Sequence, residues 1–338
     1  MCWKITRLLL YKKRCSKNIV MKKLISALLC LCLMDAAVAA DLPGIPEFID
    51  EMVVKHQFRR AELNELFTRA QHRPEIIEAI TKPATLKPWP EYRAAFVNAK
   101  RVKLGVVFWD KHQQVLLRAE QEFGVPAEII VAIIGVETIY GKNAGTFRTL
   151  DALTTLAFDY PRRAPFFRAE LENYLLLARD QEFDLLAIKS SYAGALGIPQ
   201  FMPSSYRNYA VDYNGNHKID LLHEEQDAIG SVANYMKGYG WLANQPVATL
   251  ANFNVELCVS DLKTPRSMAD WQKVGVVAQV PNMNYPAARI SDYTLGDAKE
   301  FWLVFNNFEV ITKYNNSDFY AMSVLQLAEE IKAARANR

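Results

Sequence analysis

Residues 127–141, AEIIVAIIGVETIYG, leave little choice about where they can sit. Ile129, Ile133, Val136 and Tyr140 share one helical face, and Ile130, Ile134 and Glu137 follow at i, i+4, i+7 on a neighbouring face. A helix apolar on nearly every side belongs in a core, so the rest of the chain has to be wrapped around it. Glu137 continues an apolar stripe. Moving a carboxylate from water into such surroundings raises its pKa, which makes it a proton donor. Two blander roles fit the same position: a solvated residue at a helix end, or a buried partner of an arginine.

The flanking segments are helical in pattern. PEFIDEMVVKHQF, AELNELFTRA, RPEIIEAIT and residues 91–123 carry apolar residues at three and four spacing, interrupted by Pro83, Pro88 and Pro90. They predict a bundle with little strand content. Gly124 to Pro126 mark the turn before the apolar helix, with Pro126 suited to a first helical turn. After it the spacing predicts helices over 150–158, around Phe167, Leu171, Tyr174 and Ala178, and around Ile229, Val232, Ala233 and Met236. Between them, residues 190–206 (SSYAGALGIPQFMPSSY) form a constrained, irregular segment holding Gln200, with a cap signal at Pro203-Ser204-Ser205. From about 246 to 310 the runs shorten: VATLANFNVELCV, VGVVAQV, FWLVF and FEVITKY predict a small, mostly β subdomain. Ser317 then caps a last helix with Tyr320, Val324, Leu327 and Ile331 on one face.

Charge excludes one class of partner. The net charge is +3, but residues 1–40 hold eight Lys or Arg against Asp35 alone, which leaves 32 basic and 36 acidic residues in the remainder. That part has no excess of positive charge for a phosphate backbone, so no nucleic-acid partner is expected. The leader reads as a secretory signal that starts at Met1 or Met21. MKK is followed by an apolar run to Met34 and by Ala37-Val-Ala39, and the run is far shorter than the ~20 residues that span a bilayer. Cys30 and Cys32 each follow a Leu and lack a lipoprotein context, and after cleavage only Cys258 remains, so no intrachain disulfide is expected.

Asp212-Tyr-Asn214-Gly-Asn216-His-Lys218-Ile-Asp220 spaces oxygen ligands at every second residue, as a calcium loop does. Its Gly is fourth rather than sixth and its twelfth residue is His223, so Glu224, Glu225 or Asp227 would have to close a longer loop. An Asx-rich surface turn fits the same residues without metal. The five His are scattered, and there is no HExxH, no paired Cys, no Gly-rich phosphate loop and no Gly-x-Ser-x-Gly elbow. Aromatic and amide side chains lining a cleft in an exported protein would suit sugar rings.

The blocks VETIYG at 136–141, AFDYPRRA at 157–164, GALGIPQFMPSSY at 194–206, DAIGSVANY at 227–235 and FNNFEVITKYNNS at 305–317 resemble the membrane-bound lytic murein transglycosylase B family, glycoside hydrolase family 103. The resemblance runs from about 42 to 334. It implies a mainly α fold: a signal peptide at 1–40, a helical domain at 41–114 completed by 314–338, a lysozyme-like catalytic core at 115–245 with an EF-hand-like loop at 212–227, and the small mostly β subdomain at 246–313, inserted before the C-terminal helix. Glu137 matches the family's catalytic glutamate, and Ser191 and Gln200 its substrate-positioning residues. Tyr92, Tyr235, Tyr314, Asn315 and Tyr320 match positions lining its glycan groove. Asp212, Asn214, Asn216, the Lys218 backbone carbonyl and Asp227 match its calcium loop, with Asn216 where Asp is usual and one residue more before Asp227.

What the resemblance implies for function is a periplasmic enzyme that cuts the MurNAc–GlcNAc bond of peptidoglycan with one glutamate as acid and then base, closing a 1,6-anhydro ring. No cofactor is needed for the chemistry, and calcium would be structural. The implied partners are peptidoglycan strands, with cell-wall synthesis or division proteins as candidate protein partners and no membrane span. A lysozyme-type hydrolase would instead need a second carboxylate, with Asp151, Asp159 and Glu170 as sequence-near candidates. A non-catalytic glycan-binding protein is the third reading.

Overall fold

A computed structural model describes residues 42–82, 87–253, 259–280 and 285–338. The leader, Cys258 and Pro83 lie outside the described residues. The N-terminal helices are α1 (Ile45–His56), α2 (Arg60–Arg69), α3 (Pro74–Thr81), α4 (Trp89–Phe96), α5 (Ala99–Lys111) and α6 (Gln113–Phe123), followed by the apolar α7 (Ala127–Thr138). The run 91–123 is therefore broken twice. Asn98 caps α5 by accepting from the Arg101 N–H, and His112 leaves helical geometry between α5 and α6.

A short β1 (Phe147–Arg148) leads into α8 (Thr149–Asp159) and α9 (Ala164–Asp180), and β1 pairs antiparallel with β2 (Lys189–Ser190). Then come α10 (Pro203–Tyr209) and α11 (Glu225–Gly238). The N-cap of α10 is Met202, which makes no side-chain cap bond, so the expected Ser-based cap is not formed. The Ser204 hydroxyl and N–H donate to Glu170 instead.

The small subdomain holds β3 (Ala248–Phe253), α12 (Val259–Leu262), α13 (Met268–Lys273), β4 (Val276–Ala278), β5 (Arg289–Leu295) and β6 (Ala298–Val304), with an antiparallel sheet in the order β4-β3-β6-β5. Its own core gathers Trp271, Val276, Ile290, Leu303 and Phe305, and the Trp271 indole donates to the Ala288 carbonyl. One expected strand is a helix: FEVITKY lies in α14 (Asn306–Tyr314). Its β-branched residues suggested a strand, but Asn307, Phe308, Val310 and Ile311 are the buried positions, a helical spacing. The fully buried Asn307 carboxamide keys α14 to the 242–245 turn through Leu242 N–H and the Leu242 and Gln245 carbonyls. The chain closes with α15 (Asp318–Ala336), capped by Ser317, whose hydroxyl accepts from the Tyr320 N–H.

The main core is continuous from α1 to α15, and α7 runs through it against α5, α6, α11 and α15. Ile130 to Ile134 of α7 have no solvent exposure. Among the described residues no helix is long and apolar enough to cross a membrane.

Candidate active site

α7 stops one residue after Glu137. Ile139, Tyr140 and Gly141 all take positive φ (53°, 60° and 81°), so Tyr140 is not the continuation of the helical face that its spacing suggests. A β-branched residue in the left-handed region is strained, and such strain persists only where the surroundings enforce it. Two contacts do so here. The Tyr140 ring folds back over Gly135, where any side chain would collide with its hydroxyl, and that hydroxyl donates to the Arg101 carbonyl at 3.0 Å. The buried Thr138 hydroxyl donates to the Ile198 carbonyl at 2.7 Å and accepts from the Gly141 N–H at 2.9 Å, tying the helix end to the Gln200 segment.

That segment is a knot of short bonds. Leu196 and Phe201 exchange N–H···O bonds of 2.7 and 3.0 Å, and Ile198 N–H reaches the Leu221 carbonyl at 2.8 Å. Gln200 itself has φ 54°. Its Nε2 donates to the Ala144 and Gly197 carbonyls at 3.1 and 3.0 Å, so the group it can offer a ligand is its carbonyl oxygen. Ser191 Oγ accepts from the Ala195 N–H at 3.1 Å and keeps its own proton to donate.

Glu137 is half-buried at the floor of a cleft of about 770 Å³. Ser191, Gln200, Tyr235, Tyr314 and Asn315 line the same cleft. Tyr320 and Tyr92 do not. Tyr320 stands buried behind the carboxyl and its hydroxyl donates to Glu137 Oε1 at 2.5 Å, while Tyr92 packs between Phe96 and Phe319. The tyrosines form a connected wall: Tyr235 and Tyr314 rings lie 4.8 Å apart, Tyr314 stacks on Tyr320, and the Tyr235 hydroxyl donates to the Lys313 carbonyl at 2.7 Å.

Burial pushes the Glu137 carboxyl up to about 7, against the opposing hydrogen bond from Tyr320, which favours the ionised form. Burial also raises the Tyr235, Tyr314 and Tyr320 hydroxyls, and the nearby Glu137 charge adds to this, so all three stay protonated donors. Of the three sequence-near carboxylates, Asp151 accepts from Gln71 N–H and Arg148, and Asp159 bonds His72. Glu170 does line the cleft, but Ser204 occupies both of its oxygens, at 2.6 and 2.9 Å.

The sequence reading missed the rim. Phe166, Tyr192 and Tyr239 are the aromatic members of the exposed large apolar residues in the described chain, and all three line this cleft, together with Arg163, Met202 and Lys313. Tyr239, the residue that ends α11, follows Tyr235 by four residues, a helical spacing that could have revealed it.

The predicted calcium loop lies apart from the cleft. Asp212 accepts N–H bonds from Gly215, Asn216 and His217, and the Asn214 and Asn216 amides both donate to Glu224. Asp227 is fully buried and accepts from the Tyr213, Asn214 and Asp220 N–H groups. His223 turns to Asp220. Among the described residues no three His, Cys, Asp or Glu side chains converge as a metal set. The donors in the loop are nonetheless all oxygens of Asp, Asn, Glu and backbone, the set that suits a hard cation.

The fold and the cleft define a lysozyme-like enzyme of glycan chemistry. The chain belongs to the family described as Transglycosylase SLT domain, whose model matches residues 42–329. It is 43% identical over 306 residues to membrane-bound lytic murein transglycosylase B of Escherichia coli (strain K12), a match covering 88% of this chain and 84% of that protein. The structure of the Escherichia coli lytic transglycosylase Slt35 in complex with calcium superposes with a TM-score of 0.82 at 43% identity, covering 88% of this chain and 95% of that one. SltB3 from Pseudomonas aeruginosa in complex with NAG-anhNAM-pentapeptide gives a TM-score of 0.75 at 30% identity, over 85% and 78% of the two chains.

Proposed function

We infer that this protein is a peptidoglycan lytic transglycosylase that cuts the β-1,4 bond between N-acetylmuramic acid and N-acetylglucosamine, with Glu137 as both acid and base. The observation that carries this reading is a half-buried carboxyl, protonated near neutral pH, in a cleft whose other carboxylate has both oxygens engaged. Glu137 gives its proton to the bridging oxygen as the C1–O bond breaks, and the muramyl acetamido oxygen supports C1 from the opposite side, as in substrate-assisted glycosidases. The Tyr320 hydroxyl stabilises the carboxylate so formed. That carboxylate then takes the proton of the sugar's own C6 hydroxyl as it attacks C1, which closes the 1,6-anhydro ring and consumes no water. The Gln200 carbonyl oxygen and the Ser191 hydroxyl hold the acetamido group, and the wall of Tyr235, Tyr314 and Asn315 holds the sugars, where orientation lowers the barrier by several kcal/mol. The anhydromuramyl ligand of the SltB3 complex supports this choice of product.

Mass spectrometry of muropeptides released from purified murein tests the assignment. Products one water lighter than lysozyme products are expected. Reducing-end products would show that water reaches C1 and would remove the single-carboxylate route. Because the acid must start protonated, kcat/KM is expected to fall above pH ~7.

Residues 1–40 serve on this reading as the export signal to the periplasm, where cell-wall synthesis or division proteins are the candidate protein partners. Calcium would be a structural ion held by Asp212, Asn214, Asn216 and the Lys218 carbonyl, with Glu224 on the flank; Asp227, expected as the closing ligand, instead braces the loop from beneath by accepting the Tyr213, Asn214 and Asp220 N–H groups. When bound it supplies charge neutralisation and crosslinks the loop, and no step of the reaction passes through it. Chelation is expected to lower Tm by roughly 5 °C at saturating calcium, restored by calcium and not by magnesium. A melting curve indifferent to calcium would remove the ion from the account.

A further inference from the structure

One arginine of the small subdomain holds two of the helices beside the cleft. Arg289 opens β5, and its Nη1 and Nη2 donate in parallel to Asp318 Oδ2 and Oδ1, both at 2.8 Å, while its Nε donates to Glu309 Oε1 at 2.6 Å. Two neighbours on β5 reinforce the grip: Ser291 Oγ donates to Asp318 Oδ2 at 2.8 Å, and the Tyr293 hydroxyl donates to the Asp318 backbone carbonyl at 3.2 Å. Asp318 is the first residue of α15, and Glu309 lies on α14. The end of α14 and the residue after it carry Tyr314 and Asn315 into the cleft wall, and Tyr320 sits two residues past Asp318. Between them, Phe319 packs against Trp89, Tyr92 and Tyr293.

We propose that Arg289 is a positioning residue of the active site, a fork that ties the first turn of α15 to the first turn of α14 and thereby sets Tyr320 against Glu137 and the Tyr314 hydroxyl against the Pro199 carbonyl, to which it donates. The inference rests on Glu137 being the acid, as argued above. A tie made only for stability has no need of this chemistry. Ion pairs whose carboxylates are this open to water contribute little to stability, whereas a planar fork that satisfies two carboxylates at once fixes direction as well as distance. What it fixes here is the point at which the polypeptide turns past the cleft.

The groups facing Glu137 are Tyr320 from α15, Tyr314 from the end of α14, Tyr235 from α11 and Tyr92 from α4, with Arg163, Glu170 and Lys313 along the same cleft. Of these, Tyr320 is the one hydrogen-bonded to it. Around Asp318 the cations are Arg289 and Lys263. The Tyr320 bond favours ionised Glu137, so loosening it raises the carboxyl further and moves the alkaline limb of activity to higher pH.

The test compares wild type, Arg289→Lys, Tyr320→Phe and the double variant. Arg289→Lys keeps the charge but cannot span both carboxylates, and it is chosen over Arg289→Ala because it keeps a positive charge beside them. Anhydromuropeptide release is followed across pH, and Glu137 is titrated directly through its 13C-labelled carboxyl. Arg289→Lys should lower kcat roughly tenfold with KM within about twofold, move the Glu137 titration upward as Tyr320→Phe does, and add no further shift in the Tyr320→Phe background. A loss of Tm with kcat and the Glu137 titration unmoved would overturn the proposal, as would a shift that persists undiminished in the double variant. Should wild type release reducing-end products, the transglycosylase reading falls, while the Glu137 titration still judges Arg289 by itself.

Discussion

Glu137→Gln is expected to abolish product release, by ~10³-fold or more, and to make the protein more stable above neutral pH. The first half follows from the double use of one group: a positioned acid or base contributes about 10²–10⁴-fold, and here the same carboxyl serves in both proton transfers. The second half is a matter of sign. The folded-state pKa of about 7 lies above the ordinary 4.5 of an unfolded chain, so unfolding releases a proton throughout that interval. Any cost of burying the charge is absent below pH ~4.5, grows as pH rises through the window, and levels off above ~7 at roughly 3 kcal/mol. Glutamine removes the ionisation while keeping an oxygen for the Tyr320 hydroxyl. Paired melting curves at pH 4 and pH 8 check this: they should nearly coincide at the lower pH and separate in favour of the variant at the higher. A variant no more stable at pH 8 would mean that Glu137 is not held protonated by its surroundings.

Gly197→Ala should cost about 3 kcal/mol or more and take most of the activity with it. Gly197 has φ +68°, and a Cβ there would lie inside the van der Waals radius of the Leu221 carbonyl oxygen. That carbonyl belongs to backbone fixed by the Ile198–Leu221 bond, so it cannot swing aside as a flexible side chain would. Relief requires moving either residues 196–201, which hold Gln200 by its Nε2, or the 220–222 backbone, tied to Asp227 through Asp220 N–H. Gly215→Ala is the control. Its φ is similar, +79°, but nothing lies within 4 Å of the added carbon, so only the left-handed conformation is penalised, by about 1–2 kcal/mol. Equal Tm losses for the two would show that the close approach at Leu221 is not what demands glycine.

The two variants divide the problem as the sequence and the structure do. Local periodicity was enough to place α7, the face of α11 and the Ser317 cap of α15, because burial along a helix repeats every three to four residues whatever the partner is. It was enough to put Glu137 on an apolar stripe. Motif blocks in order added the cleft residues Ser191, Gln200, Tyr235, Tyr314 and Asn315, all of which the fold gathers around that glutamate. The same local rule misled at FEVITKY, where β-branched composition pointed to a strand and the buried Asn307 amide, bonded to a turn more than sixty residues earlier in the chain, held a helix. It also extended α7 to Tyr140, since spacing cannot show that three successive positive φ values end the helix.

The sequence by itself thus determined a helical body around one buried acid. Only the tertiary structure decided what that acid meets. Tyr320 is 183 residues from Glu137, Ser204 is 34 from Glu170, and Arg289 reaches two helices at once. Nothing in a window of ten or twenty residues encodes such pairs. They exist because packing of whole elements brings them together, and the price in conformational entropy is met by the shared core rather than by the pairs themselves.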